Sequence, residues 1–98
     1  MDDQINIEIS QDMVSGVFSN MAFVSHSPSE FLIDFIVLLP GMPKGKVVSR
    51  IILTPYQAKR LTLLLHDQIR RYENTYGEIK FYSIPPPASE NLPPASTA

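Results

Sequence analysis

Phe31-Leu32-Ile33-Asp34-Phe35-Ile36-Val37-Leu38-Leu39, then Pro40-Gly41-Met42-Pro43-Lys44-Gly45, then Lys46-Val47-Val48-Ser49-Arg50-Ile51-Ile52-Leu53: this run decides the fold. The first segment is apolar on both alternating sides except at Asp34, which reads as a strand buried on both faces. The middle is dense in Gly and Pro and reads as a turn. The last returns as an antiparallel strand. A symmetric hairpin about Met42 pairs Phe31 with Leu53 and Ile33 with Ile51 on one face. On the other it pairs Leu32 with Ile52, Ile36 with Val48, and Asp34 with Arg50. A slip of one residue would set apolar against polar side chains, so the parity is fixed.

Toward the C-terminus, Thr54-Pro55-Tyr56-Gln57 opens a helix. Thr54 is a good N-cap, Pro55 suits the first helical position, and Thr-x-x-Gln is a capping box. At 100° per residue, Ala58, Leu61, Leu65, Ile69, Tyr72 and Tyr76 form one apolar stripe. Lys59, Arg60, Asp67, Arg70 and Asn74 lie opposite. Gly77 is a natural stop. A helix over residues 55–76 is about 33 Å long, enough to cross a four-stranded sheet diagonally. Residues 78–83 could add a short extended piece. Residues 81–98, with Pro85-Pro86-Pro87 and Pro93-Pro94, have the composition of a disordered or polyproline tail.

Toward the N-terminus, Ser27-Pro28-Ser29-Glu30 has the Ser-x-x-Glu capping pattern and predicts one helical turn between strands. Residues 17–25 predict a strand of ambiguous facing. Ile5, Ile7 and Ile9 alternate with polar residues and predict a further strand, closed by a turn at residues 11–16. The expected architecture is α+β: a four-stranded antiparallel meander over residues 1–80, with one long C-terminal helix packed on one sheet face.

The whole chain has 98 residues, a net charge of −2 and no cysteine. Disulfides, thiolate metal sites and cysteine nucleophiles are excluded. The mild acidity offers no broad electrostatic reason to bind nucleic acid or an anionic membrane. Met1-Asp2-Asp3-Gln4 lacks the basic start and apolar run of a signal peptide, and no stretch is long enough to span a bilayer, so a cytoplasmic location is the expectation. Only 18% of residues are charged. One helix covers one sheet face, and the uncovered face, showing either Leu32, Ile36, Val48 and Ile52 or else Phe31, Ile33, Phe35 and Ile51, would then be left to an interface. Leu63, off the helix stripe, is a further candidate contact. A homodimer or larger homo-oligomer is the expected partner arrangement, with another protein as the alternative.

The candidate chemistry is sparse. A charge inside an apolar strand needs a partner, and hairpin parity gives Asp34 the side chain of Arg50. That pair reads as a register pin before it reads as a polar spot in a pocket. His26 and His66 lie on different elements without further ligands at metal spacing. Ser25, Ser27 and Ser29 surround His26 without an orienting acid. Gly41-x-x-x-Gly45 lacks the Lys-Ser/Thr and helix of a phosphate loop. Lys59, Arg60, Arg70 and Arg71 give a candidate basic face for nucleic acid, with acidic residues interleaved. No cofactor and no catalytic constellation is expected.

Several stretches resemble a known family: Asn20-Met21-Ala22, Ser25-His26-Ser27-Pro28-Ser29-Glu30-Phe31, Asp34-Phe35, Pro40-Gly41, Ser49-Arg50-Ile51-Ile52-Leu53-Thr54-Pro55, Ala58-Lys59-Arg60-Leu61, Tyr72-Glu73 and Gly77-Glu78-Ile79. Together they look like domain-of-unknown-function family 3467, short proteins of bacteria and archaea. The resemblance implies a domain over about residues 3–80 and carries no activity. The order of strands then helix is also similar to that of the SecB-type export chaperones. That topology alone suggests chaperone-like peptide binding, and fold does not give function.

Overall fold

A computed structural model of the chain describes residues 4–81. Among the described residues three strands, β1 (Met21–His26), β2 (Phe31–Val37) and β3 (Lys46–Leu53), precede one long helix, α1 (Pro55–Tyr76). The strands form an antiparallel sheet in the order β1-β2-β3. The class is α+β, with three strands where the sequence predicts four.

The hairpin register agrees with the sequence for its first four pairs: Phe31–Leu53, Leu32–Ile52, Ile33–Ile51 and Asp34–Arg50. It then shifts. Ile36 faces Val47, not Val48, because a bulge between Phe35 and Ile36 leaves one extra residue on β3. Adjacent valines satisfy the apolar pattern either way, so the pattern alone does not place the bulge. Gly45 sits beside it: a Cβ there would lie 3.0 Å from Ile36 Cγ2. The bulge bends and twists β3, and the bare glycine fits the approach of the turn to Ile36.

Residues 5–9 do not form a strand, and Ile5, Ile7 and Ile9 are 80%, 88% and 65% exposed. Alternation marks which side of a strand would be buried. It does not by itself make a segment pair, and residues 5–9 join neither of the sheet's outer strands, β1 or β3. The segment continues into a short 3-10 turn at Gln11–Met13.

β1 begins later than predicted because Ser19 and Asn20 pair with β2 partly through their side chains. The Ser19 hydroxyl accepts the Ile36 N–H at 3.1 Å. Asn20 Nδ2 donates to the Leu38 carbonyl at 2.9 Å, and its Oδ1 accepts the Leu38 N–H at 3.0 Å. Residues 27–30 form a tight hairpin connection instead of a helical turn. Ser27 N–H donates to the Glu30 carbonyl at 2.9 Å between the paired His26 and Phe31. With both ends held by the ladder, four residues can close a turn but have no room for a helical segment, and Pro28 suits such a turn.

The α1 boundaries are as predicted. Thr54 Oγ1 accepts the Gln57 N–H at 3.1 Å. Gly77, at φ 104°, closes the far end by donating to the Glu73 carbonyl at 2.9 Å. Residues 78–80 carry no strand, while residues 82 and 83 of the predicted extension and most of the predicted tail lie outside the described residues. The packing of α1 differs more. The helix faces the side of the sheet that carries Val24, Phe31 and Ile33, and Pro55 to Leu65 line a groove with them. Ile69, Tyr72 and Tyr76 are 40%, 50% and 74% exposed. A stripe shows that one helix face is apolar; it does not say how far the sheet beneath extends. Among the described residues Ile36, at 5% exposure, is the only buried apolar side chain.

Candidate functional site

Two surfaces follow from this geometry. The first is an open groove of about 530 Å³ between α1 and the sheet. Val24, Phe31 and Ile33 form its floor, and Pro55, Ala58, Leu61 and Leu65 form its helical wall. The floor residues share a face because Val24 pairs with Ile33, and Phe31 lies two residues along the strand. Thr62 and Lys59 are the polar groups at its rim. A site with no convergent polar groups suits apolar side chains and gives a polar substrate nothing to orient it.

The second surface is the opposite sheet face. It carries Leu32, Ile36, Val47 and Ile52, with Asp34 and Arg50 among them. Arg50 Nε donates to Asp34 Oδ1 at 2.6 Å, and its Nη2 donates to Oδ2 at 2.8 Å. The Asp34 side chain is 17% exposed and that of Arg50 40%. Hydrogen bonding from Arg50 holds the Asp34 carboxyl below its ordinary value of 3.8, against some opposing desolvation. The same bond raises the guanidinium. Both carboxylate oxygens are engaged, so the arrangement matches the register pin more closely than a free acid in a pocket.

The predicted apolar interface set does not form one patch. Leu32, Ile36, Val48 and Ile52 belong to the sheet, with Ile52 60% exposed. Leu63 stands beside Arg60, Leu64 and Asp67 on α1, away from the groove. The candidate basic face is also divided. Arg71 Nε bonds Asp67 Oδ2 at 3.1 Å. Arg60 lies over the Tyr56 ring, 5.8 Å from its centroid. Lys59 borders the groove.

His26 stacks on Phe31, with centroids 5.3 Å apart, while Ser27 and Ser29 lie within hydrogen-bonding reach of each other. Among the described residues no group of three or more His, Asp or Glu could hold a metal ion. No described helix is long and apolar enough to cross a membrane. Sequence reading missed the Ser19–Asn20 clamp, although Asn20-Met21-Ala22 stood out as a motif. It also missed the groove, whose floor and wall come from separate elements.

The fold thus defines a small α+β domain with an antiparallel meander, a C-terminal helix and two apolar surfaces. The family model described as "Protein of unknown function (DUF3467)" matches residues 1–81, and the chain belongs to that family. No curated protein and no solved structure matches it. Several residues that carry the family resemblance have structural work here: Asn20 holds Leu38, Asp34 holds Arg50, Thr54 caps α1, and Gly77 ends it.

Proposed function

We propose that this chain is a non-enzymatic interaction module that acts as a homo-oligomer, burying its apolar surfaces against copies of itself. The observation that carries this reading is the single buried apolar side chain among residues 4–81. A folded domain holds its shape by hiding apolar area, and an antiparallel sheet ordinarily hides at least one face. Here Ile51 and Ile52 on β3 and Val24 on β1 remain 41%, 60% and 44% exposed. Area of that kind in a soluble chain marks an interface. The divided basic residues of α1 give nucleic-acid binding less support, and peptide binding of the chaperone type has only topology behind it.

Light scattering across a wide concentration range tests the reading. A dimer or larger species persisting at low micromolar protomer is the expected result. A monomer throughout refutes self-association and leaves the apolar surfaces to a different protein.

A further inference from the structure

We infer that residues 5–9 of one copy add as an antiparallel strand to the β1 edge of a second copy, each chain lending its segment to the other. This rests on the self-association proposed above and names the surface that performs it.

Each chain carries both halves of the contact. Ile5, Ile7 and Ile9 alternate with Asn6 and Glu8, the pattern of a strand with one buried face. Yet all three isoleucines are exposed, and the segment joins no strand of its own sheet. The connection that follows has hydrogen bonds of its own. Met13 N–H donates to the Ser10 carbonyl at 3.0 Å, and Gly16 N–H, at φ 77°, donates to the Met13 carbonyl at 3.1 Å. The segment thus stands apart from its own sheet with a folded connection behind it, and a second copy supplies an edge.

The two outer edges of the sheet differ. β3 carries Lys46, Arg50 and a bulge, charges and an irregularity that discourage pairing. β1 reads Met21-Ala22-Phe23-Val24-Ser25-His26, without Lys, Arg, Asp, Glu or Pro and without a register shift against β2. An edge that lacks such guards is one that a further strand covers. A contact of β1 with the β1 of another copy would cover that edge and leave the isoleucines in water. The exchange covers both.

The ladder sets the register. Ser27 N–H donates to the Glu30 carbonyl, so these two form a hydrogen-bonded pair. Bonded and non-bonded pairs alternate along an antiparallel ladder, which makes Ser25–Leu32 and Phe23–Asp34 the next bonded pairs. The N–H and C=O groups of Ala22, Val24 and His26 then point away from β2. Ile7 opposite Val24 engages those groups and sets Ile5 beside His26 and Ile9 beside Ala22. These are the exposed side of β1, whereas Phe23 and Ser25 are half-buried. Asn6 falls opposite Ser25. Glu8, opposite Phe23, gives the new outer edge the charge that β1 lacks. A one-residue slip would set Asn6 against Val24, Glu8 against Ala22 and Ile5 against Ser25.

The chain has no cysteine, so Ile7→Cys combined with Val24→Cys places its only thiols at one proposed cross-chain pair. Cα atoms of such a pair lie about 5.5 Å apart, within the span of a disulfide. Oxidation of this double variant is expected to give a covalent dimer on a denaturing gel. Asn6→Cys combined with Val24→Cys, with side chains on opposite faces, is expected to stay uncoupled. Ile7→Pro removes an N–H from the proposed ladder and is expected to weaken the dimer by roughly tenfold or more in light scattering. A covalent dimer from Val24→Cys alone means that β1 pairs with β1. A double variant that loses its thiols at monomer mass means that the segment pairs within its own chain. Either result overturns the inference. A parent dimer without coupling between positions 7 and 24, or one that Ile7→Pro leaves as tight, also overturns it while self-association stands. A monomer at every concentration overturns both readings.

Discussion

The tightest contact around the buried residue makes a quantitative test. Gly45 has no Cβ, and one placed there would lie 3.0 Å from Ile36 Cγ2, with Val37 O at 3.7 Å and Leu38 Cβ at 3.9 Å. Gly45 is absent from the glycines of positive φ, so alanine meets no backbone strain. Overpacking a filled site costs about 1–3 kcal/mol. Replacing glycine where the backbone permits it returns about 0.4–1 kcal/mol through the unfolded chain. Gly45→Ala is thus expected to destabilise by about 1 kcal/mol net. Ile36→Ala removes three carbons, about 2.4 kcal/mol of transfer at ~0.8 per carbon. Partly exposed neighbours can collapse around the void, which keeps the cost near the lower end of the usual ~2–5 kcal/mol. In the Ile36→Ala background Cγ2 is gone and only ordinary contacts remain. There Gly45→Ala should stabilise by about 0.4–1 kcal/mol. The coupling is therefore about 1.5–2 kcal/mol, readable in a double-mutant cycle of urea unfolding at one fixed protomer concentration. An equal cost for Gly45→Ala in both backgrounds would refute the claim that glycine is there to admit Ile36.

Other outcomes follow from single contacts. Asp34 has a depressed pKa when folded, so the stability it contributes is present above its ordinary value of 3.8 and is lost as pH falls through the lower folded value. The stability difference between the parent and Asp34→Asn should hold at neutral pH and shrink in acid; a difference that grows as pH falls would reverse the sign of this argument. Thr54→Ala removes the acceptor of the Gln57 N–H and should cost about 1 kcal/mol in thermal or urea unfolding, with Thr54→Ser close to the parent. Leu63→Ser, at a 64% exposed site, should change stability by less than about 0.5 kcal/mol and leave the solution mass unaltered. The Arg70→Glu, Arg71→Glu variant should retain whatever weak affinity the parent shows for DNA or RNA; a steep loss, together with parent affinity that falls steeply as salt is raised, would restore the nucleic-acid reading.

The parts of the fold legible in the sequence are those set by local chemistry. The pairing of β2 with β3 follows from a tight Gly-Pro turn and from an apolar pattern that a one-residue slip would break, with Asp34 set opposite Arg50. The ends of α1 follow from Thr54, Pro55 and Gly77, each with a backbone role independent of tertiary contacts. Other features depend on what lies nearby in space. Ile5, Ile7 and Ile9 have the pattern of a strand yet pair with neither edge of the sheet. Val47 and Val48 are interchangeable to a hydrophobic pattern, and the choice falls to the approach of Gly45. Ser19 and Asn20 fall within the predicted strand, but only the structure shows their side chains bonding the backbone of Ile36 and Leu38. The groove was hidden for a related reason: Val24, Phe31 and Leu65 are each unremarkable apolar positions until the helix angle leaves space between them.

The strand order follows the order of the chain, and this governs how the domain forms. β1 meets β2 after the short connection at residues 27–30, and β2 meets β3 after residues 38–45. Closing loops this short loses little chain entropy, and folds built from neighbouring segments form quickly. Each hairpin belongs to the class that closes on the order of microseconds. Synthesis proceeds at about 5–20 residues per second, so each hairpin closes far faster than the chain is extended once its strands are free to meet. Any partner, whether a second copy or another protein, therefore meets a sheet whose strands are already paired.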